Sequence, residues 1–210
     1  MPPERFLDDL PVAAILRGVL PDKVIAVAEV LYDAGIRAIE VPLNSPDPYR
    51  SIEQLSRTFG DRCLCGAGTV LSVEEIQRAH DSGAKLIVSP NTDAAVVART
   101  VALGMVSMPG FATTTEAFTA IGAGATRLKL FPASTYGAGH AKALQAVLPS
   151  CTRLYAVGGI GVNHVVEWMS AGVAGFGFGS ELFKPDYSLD EISKRASEIV
   201  RTVRGAISNR

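Results

Sequence analysis

Short apolar runs alternate along the chain with longer amphipathic segments, and glycine often lies at the junction between them. Gly35 precedes the run Ile36–Val41, and Gly124 precedes the run Ala125–Leu130. Glycine commonly ends a helix because it adopts a left-handed backbone at little cost. The apolar runs are too short for helices and lack strict alternation, which is typical of strands buried on both faces. The pattern therefore predicts helices that alternate with parallel strands.

Eight strands can be placed in this way, and a helix is predicted after each of them. The predicted strands are Val12–Leu16, Ile36–Val41, Cys63–Gly66, Ala84–Val88, Met105–Met108, Ala125–Leu130, Arg153–Val157 and Val173–Phe178. The predicted helices are Asp22–Ala34, Pro48–Phe59, Val73–Ser82, Asp93–Leu103, Thr115–Gly122, Ala138–Val147, Val162–Ser170 and Leu189–Val203.

Strict alternation of this kind predicts a parallel α/β fold, and eight units favour a closed (β/α)8 TIM barrel. We expect a single domain over residues 1–210, with a short N-terminal helix before the first strand. An open, doubly wound sheet is the alternative. It is disfavoured because the first strand lacks the Gly-x-Gly-x-x-Gly turn that follows it in dinucleotide-binding folds.

Two charged residues stand out because they lie within apolar strands. Glu40 lies between Ile39 and Val41, and Lys129 lies between Leu128 and Leu130. A buried lysine or glutamate is costly unless it is paired or uncharged. One interpretation is a lysine that extends to the barrel rim and forms a structural ion pair. We favour a functional pair, because the carboxyl ends of barrel strands carry the chemistry in this fold.

The strand positions of Glu40 and Lys129 predict that the two side chains face each other. Glu40 belongs to the second predicted strand and Lys129 to the sixth, and alternate strands fill one layer of a barrel interior. A lysine in a dry cavity near another cation, for which Arg17 is a candidate, becomes a nucleophilic amine near neutral pH. A glutamate beside it is suited to general acid–base catalysis. The pair is consistent with Schiff-base chemistry.

Small residues follow the last two predicted strands, at the positions where barrels of this kind commonly bind phosphate. Gly158 and Gly159 follow the seventh strand, and Gly179 and Ser180 follow the eighth. Backbone N–H groups can approach an anion closely where no side chain intervenes, and a helix start adds its positive end. The sequence therefore predicts a phosphate site in these two loops.

Composition and charge narrow the function classes. The chain is 48% apolar with a formal net charge of −1, so no global field attracts nucleic acid or an anionic membrane. The N-terminus, from Met1, lacks a basic segment followed by an apolar run, and the three cysteines form no paired framework. We expect a cytoplasmic protein. Its three histidines are scattered without metal-ligand spacing, so no metal and no cofactor are expected.

A series of short motifs extends through nearly the whole chain. The motifs are Arg17-Gly18, Glu40-Val41-Pro42-Leu43-Asn44-Ser45, Gly66-Ala67-Gly68-Thr69, Ser89-Pro90-Asn91, Lys129-Leu130-Phe131-Pro132-Ala133 and Val157-Gly158-Gly159-Ile160. In this order the series resembles the class I 2-dehydro-3-deoxy-phosphogluconate/phosphogalactonate aldolases. The resemblance implies a barrel, usually a homotrimer, that cleaves a phosphorylated 2-oxo sugar acid to pyruvate and D-glyceraldehyde 3-phosphate.

The resemblance also implies a role for each matching residue. Lys129 would be the Schiff-base lysine and Glu40 the general acid–base residue. The remaining expected roles are carboxylate binding by Arg17 and Thr69, shaping of the pyruvate pocket by Pro90 and Phe131, and 6-phosphate binding by Gly159 and Ser180.

Two departures from the gluconate-type pattern point to the galactonate-type branch. Asn44 takes the place of an arginine four residues after the glutamate, and Val157 replaces a threonine before the paired glycines. Both are expected to be substrate-binding residues. The resemblance therefore favours 2-dehydro-3-deoxy-6-phosphogalactonate as substrate, with the C4 epimer as alternative.

A phosphosugar isomerase or epimerase on the same barrel would share the phosphate loops but need no buried lysine. A non-catalytic phosphosugar-binding protein likewise would not need Lys129.

Overall fold

Parallel strands surrounded by helices make up the computed structural model, which describes residues 3–208. The strands are β1 (Val12–Ile15), β2 (Ala38–Pro42), β3 (Leu64–Gly68), β4 (Leu86–Val88), β5 (Val106–Met108), β6 (Gly110–Phe111), β7 (Arg127–Leu130), β8 (Arg153–Val157) and β9 (Gly175–Phe178). The helices are α1 (Arg5–Asp9), α2 (Val24–Ala34), α3 (Pro48–Phe59), α4 (Val73–Asp81), α5 (Ala94–Ala102), α6 (Thr114–Gly122), α7 (Ala133–Gln145), α8 (Val165–Ser170) and α9 (Leu189–Ser208). Met1 and Pro2, on which the expected absence of a secretory signal partly depends, lie outside the described residues.

The strands form a closed barrel with eight positions. Their order is β5-β4-β3-β2-β1-β9-β8-β7-β6, and every pairing is parallel. Pro109 alone separates β5 from β6, so these two segments are one barrel position. Proline has no N–H, which interrupts the hydrogen-bond ladder there, while the Pro109 carbonyl still accepts from the Lys129 N–H at 2.9 Å. The predicted (β/α)8 TIM barrel is confirmed.

Local sequence signals set most element boundaries. Gly35 ends α2 with a left-handed backbone (φ 106°), and capping boxes begin α4 at Ser72 and α6 at Thr113. Helix α7 is broken at Gly137, where φ is 77°, so the predicted start at Ala138 matches its second part, whereas the short helical part over residues 133–136 was not predicted.

Other boundaries also differ from the prediction. β3 extends to Gly68 beyond the predicted end at Gly66, and α9 extends to Ser208. The segment predicted as one helix from Val162 begins with a 3₁₀ turn over Val162–His164 before α8. Within residues 3–208, the chain has no helix of the length and hydropathy needed to cross a membrane.

Two apolar layers lie on the two faces of the barrel. The outer core lies between strands and helices and includes Ile39, Val41, Leu128 and Leu130. The inner core fills the barrel and consists of Leu7, Ala13, Ala38, Leu64, Leu86, Val88, Val106, Met108, Tyr155 and Val157. Because side chains alternate along a strand, residues between outer-core neighbours point into the barrel.

Helix α1 closes the amino-terminal end of the barrel. Leu7 contributes to the inner core, and Asp8 accepts a hydrogen bond from the Arg127 guanidinium at 2.7 Å. Arg127 is buried, although its charge would be costly there without a partner. It points inward one layer below Lys129, since both lie on the same face of β7.

Candidate active site

Lys129 and Glu40 both point into the carboxyl-terminal half of the barrel. Lys129 lies between the outer-core residues Leu128 and Leu130, and Glu40 lies between Ile39 and Val41. The exposed fractions are 7% for Lys129 and 2% for Glu40. The Lys129 side chain therefore lies inside the barrel and does not face solvent on its outer wall.

The environment of Lys129 favours a neutral amine. Burial lowers the pKa of Lys129 to about 8, against the opposing effect of Glu40, and the positive charge of Arg17 lowers it further. The Nζ atom lies 4.5 Å from the centroid of the Phe131 ring. At neutral pH a far larger fraction of this amine than of an exposed lysine is unprotonated, which nucleophilic attack on a carbonyl requires.

The environment of Glu40 favours a proton carrier. Burial raises the pKa of Glu40 to about 7, while Lys129 and Arg17 act in the opposite direction. Its Oε2 atom is buried and has no hydrogen-bond partner among residues 3–208. A Cβ atom at Gly68 would overlap this carboxyl group, so glycine at the end of β3 keeps the space that Glu40 occupies. The carboxyl group is therefore free to exchange a proton with a bound molecule.

Arg17, Asn44 and Thr69 form a polar group at the rim, each from the loop that follows one of three adjacent strands. The Arg17 guanidinium donates through Nη1 to Asn44 Oδ1 and, at 3.3 Å, through Nη2 to Thr69 Oγ1. Thr69 has a left-handed backbone with φ 56°, which is costly for a β-branched residue and is characteristic of functional sites. The three residues present one guanidinium at the barrel mouth.

The predicted phosphate loops lie at the same end of the barrel. Gly158 and Gly159 follow β8 with φ values of 95° and 72°, a left-handed backbone that favours glycine. Gly179 and Ser180 directly follow β9, which pairs with β8. The predicted loops are therefore neighbours, and Gly159 and Ser180 are both exposed.

Phe131 packs beside the buried amine, and Val157 and Pro90 lie at or after the carboxyl ends of two other strands. The Phe131 ring contacts the amine of Lys129 on one side, and lies 3.1 Å from where a Cβ at Gly158 would be. Val157 is buried in the inner core at the end of β8, and Pro90 is half-buried after β4. The structure thus brings the predicted amine, carboxylate, guanidinium and phosphate loops to one end of the barrel.

Ser134 is a residue of this region that the sequence reasoning missed. Its Oγ occupies the place where a side chain at Gly159 would lie, and its N–H donates to the Gly158 carbonyl at 3.0 Å. Its position directly after the Lys129-to-Ala133 motif was the only available signal. The histidines stay apart from the pair, and the described part of the chain contains no cluster of three potential metal ligands.

Comparison with known proteins agrees with this geometry. The model of the KDPG and KHG aldolase family matches residues 4–195. The chain belongs to this family. It is 44% identical to the 2-dehydro-3-deoxy-6-phosphogalactonate aldolase of Escherichia coli (strain K12), over 94% of this chain and 97% of that protein.

Two further comparisons with this aldolase-family chain agree. It is 45% identical to a probable 2-dehydro-3-deoxy-6-phosphogalactonate aldolase of Rhizobium meliloti (strain 1021), over 89% of this chain and 88% of that protein. A solved structure described as native KDPGal superposes with a TM-score of 0.93 at 44% identity, covering 95% of this chain and 97% of that one.

Proposed function

We propose that this chain is a class I aldolase that cleaves 2-dehydro-3-deoxy-6-phosphogalactonate to pyruvate and D-glyceraldehyde 3-phosphate. The observation that carries the proposal is the buried amine of Lys129, whose pKa is lowered to about 8, inside the same apolar barrel interior as Glu40. The family membership and the names of the relatives support the reaction and the substrate class.

The amine of Lys129 attacks C2 of the substrate and forms a carbinolamine. Loss of water gives an iminium ion, which accepts electrons from the adjacent carbon. Glu40 takes the proton from the C4 hydroxyl, and the C3–C4 bond breaks, so that glyceraldehyde 3-phosphate leaves. The remaining enamine takes a proton at C3, and water hydrolyses the resulting iminium to pyruvate and the free amine. Substrate and products balance without an oxidant or a second substrate, and the reaction requires no cofactor.

The polar groups around the pair suit the two ends of this substrate. Arg17 and Thr69 hold the carboxylate beside the reacting C2 carbon, and Pro90 and Phe131 enclose the pyruvate portion. The phosphate binds to the loops at Gly158, Gly159, Gly179 and Ser180, where backbone N–H groups meet an anion directly.

Val157 supports the galactonate configuration. Its side chain is apolar, buried and close to Gly177, so it offers no hydrogen bond to a C4 hydroxyl. A hydroxyl directed toward it would lose its hydration without compensation, which disfavours one C4 epimer. Asn44 also departs from the gluconate-type pattern and does not provide a second guanidinium.

We further propose a cytoplasmic homotrimer of chains that each form one domain. The support is the family resemblance, together with large apolar side chains that are exposed in one copy, including Val166 at 63%, Val147 at 56% and Phe118 at 44%. Light scattering of the purified chain tests the assembly, and a monomeric mass would contradict it.

Substrate comparison and chemical trapping test the function. We expect pyruvate release from the galactonate epimer at a kcat/KM at least about tenfold above that for the gluconate epimer, which corresponds to roughly 1.4 kcal/mol. Borohydride with pyruvate should add one stable adduct at Lys129. Lys129→Ala should abolish cleavage and trapping, whereas Lys142→Ala, at an exposed lysine on α7, should keep both. Full activity of Lys129→Ala would refute the mechanism.

A further inference from the structure

Two hydrogen bonds join the loop after β1 to the loop after β2. Asn44 Oδ1 accepts from Arg17 Nη1, and Ser45 Oγ accepts from the Gly18 N–H at 2.9 Å. Thr69 adds the third contact, to Arg17 Nη2, from the loop after β3. Two neighbouring loops therefore hold the guanidinium from two sides.

The acceptors that hold Arg17 are all neutral. No carboxylate of residues 3–208 forms an ion pair with its guanidinium, although the side chain lies at the rim above the buried Glu40. A guanidinium has five N–H donors in a fixed plane, so donors remain after the contacts with Asn44 and Thr69. Its full positive charge and its free donors are available to an anion.

We propose that Asn44 is a positioning residue, whose amide oxygen fixes the Arg17 guanidinium over the substrate carboxylate without contacting the substrate itself. This inference rests on the proposed function. It explains how a single arginine can recognise the substrate carboxylate. A free arginine side chain loses considerable rotamer entropy when it binds, and an arginine held beforehand does not. A neutral anchor provides this order and leaves the charge uncompensated.

A double-mutant cycle on the pyruvate half-reaction tests the inference. The assay follows exchange of the pyruvate methyl protons with deuterium, which needs Lys129 and pyruvate but no aldehyde. We expect Asn44→Ala to raise the KM for pyruvate about tenfold with little change in kcat, the size of one hydrogen bond to a charged group. Arg17→Ala should raise KM further.

The decisive quantity is the coupling between the two substitutions. If Asn44 acts through Arg17, Asn44→Ala should add no further rise in KM in the Arg17→Ala background. Pro46→Ala changes an exposed neighbour in the same loop without removing a charge or a hydrogen-bond donor, and it should behave as wild type throughout. Additive effects would overturn the inference, because they would mean that Asn44 contacts the substrate directly or acts elsewhere.

Asn44→Asp distinguishes positioning from a simple tether between loops. The aspartate keeps the acceptor for Arg17 but adds a negative charge that compensates the guanidinium and repels the substrate carboxylate. We expect its KM for pyruvate to be raised at least as much as that of Asn44→Ala. A wild-type KM in Asn44→Asp would overturn the inference in favour of a structural tether.

The outcomes separate this inference from the proposed function. Wild type that neither exchanges pyruvate protons nor forms a borohydride adduct would overturn both. If wild type and Pro46→Ala exchange pyruvate protons normally and the KM of Asn44→Ala is unchanged, only the role of Asn44 is overturned. The thermal unfolding temperature of each variant is compared with those of wild type and Pro46→Ala. Values within that range would show that the changes in KM do not come from lost structure.

Discussion

At the scale of single residues, two ionisable groups share one apolar interior. Burial shifts the pKa of Glu40 up to about 7 and that of Lys129 down to about 8, so that both approach neutral pH from opposite sides. The mutual attraction of the charged forms works against both shifts, and burial prevails. Burial of the two groups therefore lowers folding stability, and it leaves both groups able to exchange protons near neutral pH.

The stability cost of Glu40 predicts a pH-dependent effect of Glu40→Gln. The folded chain binds the Glu40 proton more tightly than the unfolded chain, whose reference pKa is 4.5, so wild type loses stability as pH rises from 4.5 through about 7. Between about pH 5 and pH 8, the unfolding free energy of Glu40→Gln relative to wild type should rise by about 2 kcal/mol. Its kcat should fall by roughly 10²- to 10⁴-fold.

Urea denaturation at the two pH values measures the change in the unfolding free energy of Glu40→Gln relative to wild type. Glu53→Gln is the matched control, because Glu53 is an exposed carboxylate on α3 with a side-chain exposure of 57%. An unfolding free energy of Glu40→Gln that runs parallel to wild type over this range would contradict the assigned burial cost.

At the scale of secondary-structure elements, α1 closes the end of the barrel opposite the active site. It contributes Leu7 to the inner core and Asp8 to the buried Arg127, whose side chain is 8% exposed against 61% for that of Asp8. A buried guanidinium without a partner is destabilising, so this short helix secures the charge at the base of the barrel. The contact serves stability, since Asp8 lies at the opposite end of the barrel from the loops that surround Lys129.

Asp8→Ala should therefore destabilise the protein without a specific loss of catalysis. We expect a loss of about 2 kcal/mol in the free energy of unfolding, since Arg127 keeps its charge and its hydrogen bond with Tyr155 but loses its carboxylate partner. Asp9→Ala is the control, because Asp9 pairs with Arg204 at 3.5 Å between exposed side chains, and such a pair contributes little. This role would be contradicted if the two variants lost the same unfolding free energy. It would also be contradicted if Asp8→Ala showed a large change in KM at a temperature where it is folded.

At the scale of the whole molecule, parallel closure of the barrel brings distant residues to one end. Four different strands position these residues, and all of them lie toward the carboxyl-terminal mouth: Glu40 and Lys129 lie within strands, and Arg17 and Thr69 lie in the loops that follow strands. Because every strand runs in the same direction, the loops that follow the strands converge there, while α1 closes the other end. In the proposed mechanism the protein itself supplies the electron sink, as an iminium on Lys129.

The protein-derived electron sink predicts activity that does not depend on divalent metal ions. Dialysis against EDTA should leave kcat/KM unchanged, because no proposed step involves a metal. Atomic absorption before and after dialysis provides the control for metal content. A loss of activity that is restored by added metal would favour the metal-assisted isomerase or epimerase alternative.

The sequence indicated the alternation of strands and helices, the eight barrel positions and the inward direction of Glu40 and Lys129. Each of these depends on nearest neighbours along the chain: apolar runs, glycine junctions, and the apolar residues on both sides of one charge. The motifs around Lys129 and Glu40 also indicated the family. The predicted start at Ala138 matches the second part of α7, and the pattern missed only the short helical part before the break at Gly137 (φ 77°).

Tertiary structure alone decided how the side chains pair. The partner of Arg127 is Asp8, 119 residues away, and the contacts of Arg17 join residues 27 and 52 positions apart. The place of Ser134 against Gly159, and the split of one barrel position at Pro109, also follow from the packed fold. Periodicity records which face of an element is apolar, whereas a contact between loops depends on where closure of the barrel places them.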